Sequence, residues 1–124
     1  MNGVKEVVDR FKLVSETVSQ ELALPYVIGQ SDCFFMALRV ADAVNGTNVA
    51  EKFEGVYSSP AEIKRYMASR KFRTIGRVLE EFFERVPGAQ LALGDIAVVN
   101  HNGQEHTAVC GGTSFIVKSE NGRE

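Results

Sequence analysis

The chain has 124 residues, and its apolar fraction of 44% and charged fraction of 24% are typical of one globular domain rather than of a disordered segment. Lys and Arg total 14 against 16 Asp and Glu, so the formal net charge is −2 and nucleic acid is not expected as a main partner. No apolar run approaches the roughly 20 residues of a membrane span, and the amphipathic, acid-containing N terminus is unlike a signal peptide. We expect one domain over residues 1–124, cytoplasmic or virion-associated, without a disulfide framework because the chain has only two cysteines.

The first predicted element is an amphipathic helix. Pro25 predicts its end at about Leu24, because the residue before a proline disfavours helical geometry. The apolar residues that recur at helical spacing are Val4, Val7, Val8, Phe11, Val14 and Val18.

The second predicted helix runs from Cys33 to about Val44 and is apolar nearly all round, which is typical of a buried helix. Ser31 or Asp32 is expected to cap its N terminus, with Asp32 favoured, because a short side-chain oxygen can accept from free backbone N–H groups. Asn45-Gly46 is a stop signal.

Two further helices are predicted after a loop over residues 47–59. One spans residues 61–70, where Pro60 stands at the start and Ser58 or Ser59 supplies the cap. The other follows Thr74 and spans residues 75–86, with its apolar residues on one face.

The pattern then changes to strands. Residues 95–100 and 105–112 flank Asn102-Gly103, which is a strong hairpin signal, and a third strand is predicted over residues 114–118. Helices followed by an antiparallel three-strand meander define an α+β fold.

Cys33 is the sharpest candidate for chemistry. The first turn of a helix carries unpaired N–H groups and partial positive charge, an environment that favours the nucleophilic thiolate. His106, on the return strand, is a candidate base, and this chain order is that of papain-like thiol enzymes. Alternatively, Cys33 is a small apolar residue in a buried helix.

The other sulfur and imidazole groups carry weaker signals. Cys110 is expected to be a packed core thiol, since it would lie about 13 Å along the strand from His106. His101 falls in the hairpin tip and is expected to be solvated. Cys33 with His101, His106 and Cys110 lacks the usual spacing of a zinc site, so we expect no metal.

Two stretches together carry a family resemblance: YVIGQSDCFFMALRVADAVNGT and LALGDIAVV with EHTAVCGGTSFIVKS. They resemble the nucleophile and base regions of NlpC-type papain-like peptidases and amidases. The segment GVYSS, residues 55–59, resembles a phage and prophage branch associated with tail assembly. The resemblance implies a papain-like fold with N-terminal helices, a central helix opening at Cys33 and a C-terminal meander.

The resemblance also implies roles for individual residues. Cys33 would be the nucleophile, His106 the general base, and the Tyr26 hydroxyl an aid to the Cys33 backbone N–H in holding an oxyanion. Gln30 is a second donor candidate, whereas Asp95 is expected to be a structural turn residue. The implied substrate is a peptide or amide bond, with peptidoglycan as one source. No cofactor is implied, and phage tail proteins are the implied partners.

The third catalytic position departs from the family pattern, because it falls near Lys118, which has only donors to offer a histidine. Ser119, Glu120 or Asn121 could serve in a shifted register, and the chain ends at Glu124, sooner than the resemblance leads us to expect. One alternative is therefore a catalytically degenerate papain-like scaffold that serves in phage tail assembly. Another is a plain α+β binding domain whose resemblance is accidental.

Overall fold

The computed structural model describes residues 3–101, 103–119 and 122–123, with side chains over residues 10–88, 90–100 and 103–119. Its helical elements are α1 (Gly3–Ala23), α2 (Cys33–Asn45), α3 (Val49–Lys52), α4 (Pro60–Ser69), α5 (Ile75–Leu79) and a 3-10 turn (Gly88–Gln90). Its strands are β1 (Ile96–His101), β2 (Gln104–Cys110), β3 (Phe115–Ile116), β4 (Lys118–Ser119) and β5 (Gly122–Arg123).

Helix α2 is the buried centre of the fold, as its all-round apolar sequence predicts. Phe35 and Leu38 belong to one core cluster, which α3, α5 and the segment around Tyr57 complete. Met36 and Val40 belong to the other, which includes α1 and β2. Because α2 contributes to both clusters, core packing fixes the position of this helix and therefore of Cys33, its first residue.

The main sheet is an antiparallel meander in the order β1-β2-β3, and the α+β prediction is confirmed. In the β1–β2 register Val99 pairs with His106 and Ile96 with Val109. Gly103 has φ +78°, the left-handed geometry that the predicted tight turn requires.

The prediction of a single third strand over residues 114–118 is wrong in detail. Of the described residues after Gly111, only Phe115–Ile116 pairs with β2, whereas Lys118–Ser119 pairs with Gly122–Arg123 in a separate hairpin. Lys118 Nζ donates to the carbonyl of Glu21 on α1 at 2.6 Å, so the chain turns from the sheet toward α1 after β3.

The predicted loop over residues 47–59 contains the short helix α3, which the sequence analysis missed. Asp42 of α2 accepts hydrogen bonds from the backbone N–H groups of Val49 and Ala50, both at 2.9 Å. The α3 N terminus is thus stabilised by a carboxylate from the preceding helix rather than by a cap of its own, since Asn48 makes no side-chain cap bond.

The helix predicted over residues 75–86 is shorter than expected, because α5 ends at Leu79. The predicted start after Thr74 is confirmed, and the Thr74 hydroxyl also caps the helix by accepting from the N–H of Arg77. Val78 and Leu79 are buried, as expected for the apolar face of this helix. Phe82 and Val86, expected on the same apolar face, are 40% and 37% exposed, so little burial supports continuing the helix.

Arg10 ties α1 to the start of β1. Its Nε donates to the carbonyl of Leu93 at 2.6 Å and its Nη2 lies 3.2 Å from Asp95 Oδ1. The other carboxylate oxygen of Asp95 accepts from the N–H of Ala92 at 2.8 Å. Asp95 is therefore the structural turn residue that the sequence predicts.

Candidate active site

Asp32 sets the start of α2 and thereby the position of Cys33. It is the N-cap, with extended backbone geometry, and its Oδ1 accepts from the N–H of Phe35 at 3.0 Å. Ser31, the other predicted cap, instead donates its hydroxyl to the carbonyl of Pro25 at 2.5 Å. Cys33 is half-buried at the first position of the 13-residue helix, within the partial positive charge of its N terminus.

The second oxygen of Asp32 binds two other parts of the chain. Oδ2 accepts from the N–H of Gly29 at 2.9 Å and from the hydroxyl of Tyr57 at 2.7 Å. Burial, followed by the charge of Asp32, raises the pKa of Tyr57 well above its ordinary value, so the phenol stays a donor. Nothing in the sequence around Tyr57 indicates that it reaches a carboxylate so far along the chain, so this role could not be predicted.

Gly29 allows the loop before Cys33 to lie against the backbone at Tyr57. Its φ is +86°, and a Cβ there would fall 1.9 Å from the Tyr57 carbonyl oxygen. No other residue fits this approach without moving the loop, so the close packing that positions Asp32 depends on glycine.

Tyr26 lies beside Cys33, as the resemblance implies. Its hydroxyl is close enough to Cys33 for the two residues to interact electrostatically. Burial raises the pKa of Tyr26 well above its ordinary value, and the nearby Cys33 and Asp32 raise it further. The phenol is therefore neutral and can donate near the sulfur.

A pocket of about 250 Å³ brings the three predicted site residues together: Tyr26, Cys33 and His106 all line it. Cys33 lies at the start of α2, His106 lies on β2, and Tyr26 lies in the loop between α1 and α2. His106 is half-buried and has an interaction partner. The pocket thus combines a thiol, an imidazole and a phenol on one concave surface.

Two further polar side chains of β2 line the same pocket. Glu105 Oε1 accepts from the N–H of Ile75 at 3.2 Å, which fixes the start of α5. Thr107 is 1% exposed, and its Oγ1 is the one buried side-chain polar atom without a hydrogen-bond partner in the described part of the chain. Neither residue is predicted from the sequence to belong to the site.

Lys118, at the expected third catalytic position, has a different environment. It is 4% exposed and donates to the Glu21 carbonyl, and burial lowers the pKa of its ammonium group. Glu21 in turn forms an ion pair with Arg39, at 2.8 Å. Ser119 is half-buried and has an interaction partner. Glu120 and Asn121, which could supply the third group in a shifted register, lie outside the described residues.

The remaining candidates do not join the pocket. Cys110 is a free thiol that is 4% exposed, as predicted for a core residue. Gln30 is exposed, and it is its backbone carbonyl that accepts from Arg39, at 2.8 Å. The side chain of His101 lies outside those described. Within the described residues, no three His, Cys, Asp or Glu side chains are grouped as a metal site would require.

Comparison with known proteins places the chain in a family. The model described as Domain of unknown function (DUF6950) matches residues 7–124. The chain belongs to this family. The match includes every described residue that lines the pocket of the DUF6950 domain, from Tyr26 to Thr107. No curated protein and no solved structure matches the chain. In the described part of the DUF6950 domain, no helix combines the length and the apolar character that crossing a membrane requires.

Proposed function

We propose that the protein is a papain-like thiol hydrolase of the NlpC type that cleaves a peptide or amide bond. The observation that supports this function best is the shared pocket, in which Cys33 at a helix N terminus, His106 and Tyr26 lie on one surface. A nucleophile, a proton acceptor and an oxyanion donor are the three groups that acyl transfer requires.

In the proposed reaction His106 accepts the thiol proton, and Cys33 Sγ attacks the carbonyl carbon of the scissile bond. The backbone N–H of Cys33 and the hydroxyl of Tyr26 donate to the oxyanion that forms. Its collapse breaks the C–N bond, and the leaving amine takes the proton from His106. Water then attacks the thioester with His106 as base, which releases a carboxylic acid and restores the thiol.

The setting of this activity is proposed from the resemblance. The residue pattern resembles a phage and prophage branch, so we place the protein in the cytoplasm of a host cell or on a virion. Peptidoglycan is the substrate source that this setting supplies, and tail proteins are the partners.

The proposed function predicts that Cys33 is alkylated by iodoacetamide near pH 6.5, where ordinary thiols react slowly. The site of alkylation is read by peptide mass mapping, with Cys33→Ser and Cys110→Ser as matched variants. Labelling that Cys33→Ser abolishes and Cys110→Ser retains supports the proposal. A folded protein in which Cys33 does not react contradicts it.

A second candidate function is a catalytically degenerate scaffold for tail assembly, and the environment of Lys118 favours it. A buried ammonium bonded to a backbone carbonyl cannot accept a hydrogen bond from His106 to orient it. This candidate predicts that Cys33→Ser leaves both particle assembly and infection unchanged. A Cys33→Ser phage that assembles but does not infect would contradict it.

A further inference from the structure

We propose that the pocket beside Cys33 binds one bulky apolar group, aromatic or branched aliphatic, carried by the acyl part of the substrate. This inference rests on the proposed hydrolase function and names its substrate class. It narrows the peptide or amide substrate proposed above to one with an apolar group in its acyl part.

The walls of the pocket are mainly apolar. Helix α4 presents Ile63, Tyr66 and Met67, all half-buried, because residues three and four apart share a helix face. Phe34 and Phe53 add aromatic surface, with ring centroids 5.1 Å apart in an edge-to-face arrangement. The free energy of binding to such a surface is most favourable for an apolar group, because binding removes that group from water.

The volume of the pocket fits one side chain. Its volume is about 250 Å³, whereas a cavity of about 150 Å³ is enough to hold benzene in a protein interior. An aromatic ring and its linking carbons therefore fit beside the sulfur. A single apolar side chain next to the scissile carbonyl is the substrate feature that this space accommodates.

The charges at the pocket oppose an acidic ligand. Its two carboxylates, Asp32 and Glu105, are held by hydrogen bonds from the protein. Among the described residues that line it there is no Lys or Arg. A carboxylate placed here would lose its hydration and meet like charge, with no Lys or Arg among the described lining residues to pair with it.

Three iodoacetamides with the same reactive group test this preference: the N-methyl, N-phenethyl and N-(2-carboxyethyl) forms. In each reaction Cys33 Sγ forms a bond to the methylene carbon and iodide leaves. Rate constants at Cys33, read by mass mapping, are divided by those for glutathione to remove intrinsic reactivity. We expect the N-phenethyl ratio to exceed the N-methyl ratio by about tenfold or more, and the carboxyethyl ratio to fall below it.

Variants on α4 locate the preference. Met67→Gln keeps the side-chain length but makes the wall polar, whereas Ala68→Gln introduces the same residue at the exposed neighbouring position. We expect Met67→Gln to reduce the advantage of the phenethyl form over the N-methyl form at least about threefold, and Ala68→Gln to leave that advantage unchanged. Ile63→Thr is a second polar change of the same wall, for use if Met67→Gln does not fold.

The outcomes separate this inference from the proposed function. If Cys33 reacts with none of the three reagents, both are overturned. If Cys33 reacts rapidly with the N-methyl form but the phenethyl form has no advantage, or the carboxyethyl form is fastest, the apolar preference is overturned and the reactive thiol stands. The apolar preference is also overturned if Met67→Gln and Ala68→Gln retain the phenethyl advantage equally.

Discussion

The hydroxyl of Tyr57 donates a 2.7 Å hydrogen bond to Oδ2 of Asp32, the residue that caps the helix opening at Cys33. Asp32 is 4% exposed and accepts from Phe35, Gly29 and Tyr57 together. This carboxylate joins the start of α2, the preceding loop and the segment before α4, so the position of the thiol depends on it.

Asp32→Ala is therefore expected to destabilise the protein by about 3 kcal/mol, the sum of a lost cap and of buried donors left unpaired. Asp32→Asn keeps one acceptor oxygen and should lose less. Urea denaturation of both variants measures the free energy of unfolding. An Asp32→Ala variant as stable as the wild type would contradict the role given to this carboxylate.

Stability is expected to fall as the pH rises above about 10. Burial raises the pKa of Tyr26 and Tyr57 in the folded protein, while in the unfolded chain both ionise near the ordinary value of 10.0. Above that pH the unfolded state has released protons that the folded state keeps, so unfolding becomes easier.

Tyr57→Phe should flatten this alkaline decline, although it also lowers stability at neutral pH by removing the bond to Asp32. Denaturation curves between about pH 8 and about pH 11 provide the test. A wild-type protein whose free energy of unfolding is constant over that range would show that the phenols ionise alike in both states.

Thr107→Val is expected to raise the free energy of unfolding by about 1 kcal/mol, because it replaces a buried, unpaired hydroxyl with a methyl group. Thr47→Val is the matched control, since the Thr47 hydroxyl donates to Asp42 at 2.6 Å and its loss should not stabilise. Thermal and urea denaturation measure both variants. A destabilised Thr107→Val protein would mean that this hydroxyl makes a favourable bond.

Tyr26→Phe separates binding of an oxyanion from reactivity of the thiol. A peptide aldehyde such as N-acetyl-phenylalaninal adds the Cys33 sulfur to its carbonyl carbon, and its oxygen then occupies the position of the oxyanion. We expect Tyr26→Phe to weaken this adduct by about tenfold or more while leaving alkylation by iodoacetamide little changed. Tyr66→Phe, on the same pocket wall, is the control. Equal binding by both variants would remove Tyr26 from the proposed oxyanion site.

Features set by local sequence could be predicted well. The Asp32 cap, the buried α2 and the turn at Gly103 each follow from a few neighbouring residues. The placement of Cys33 and His106 on one pocket needed the order of the elements as well, which the resemblance supplied.

Features set by contacts distant in sequence could not be predicted. The cap of α3 comes from Asp42, and the break in the third strand comes with the bond from Lys118 to Glu21. Tyr57 reaches Asp32 only after the chain has folded. In each case a polar partner on another element decides the local structure, and no periodicity or turn signal encodes such a partner.

The central claim is that His106 activates Cys33. Its most direct test compares the rate of Cys33 alkylation by iodoacetamide near pH 6.5 in the wild type, in His106→Gln and in His101→Gln, which alters the chain's only other histidine. We predict a loss of about tenfold or more for His106→Gln and an unchanged rate for His101→Gln. Equal rates in all three proteins would contradict the claim.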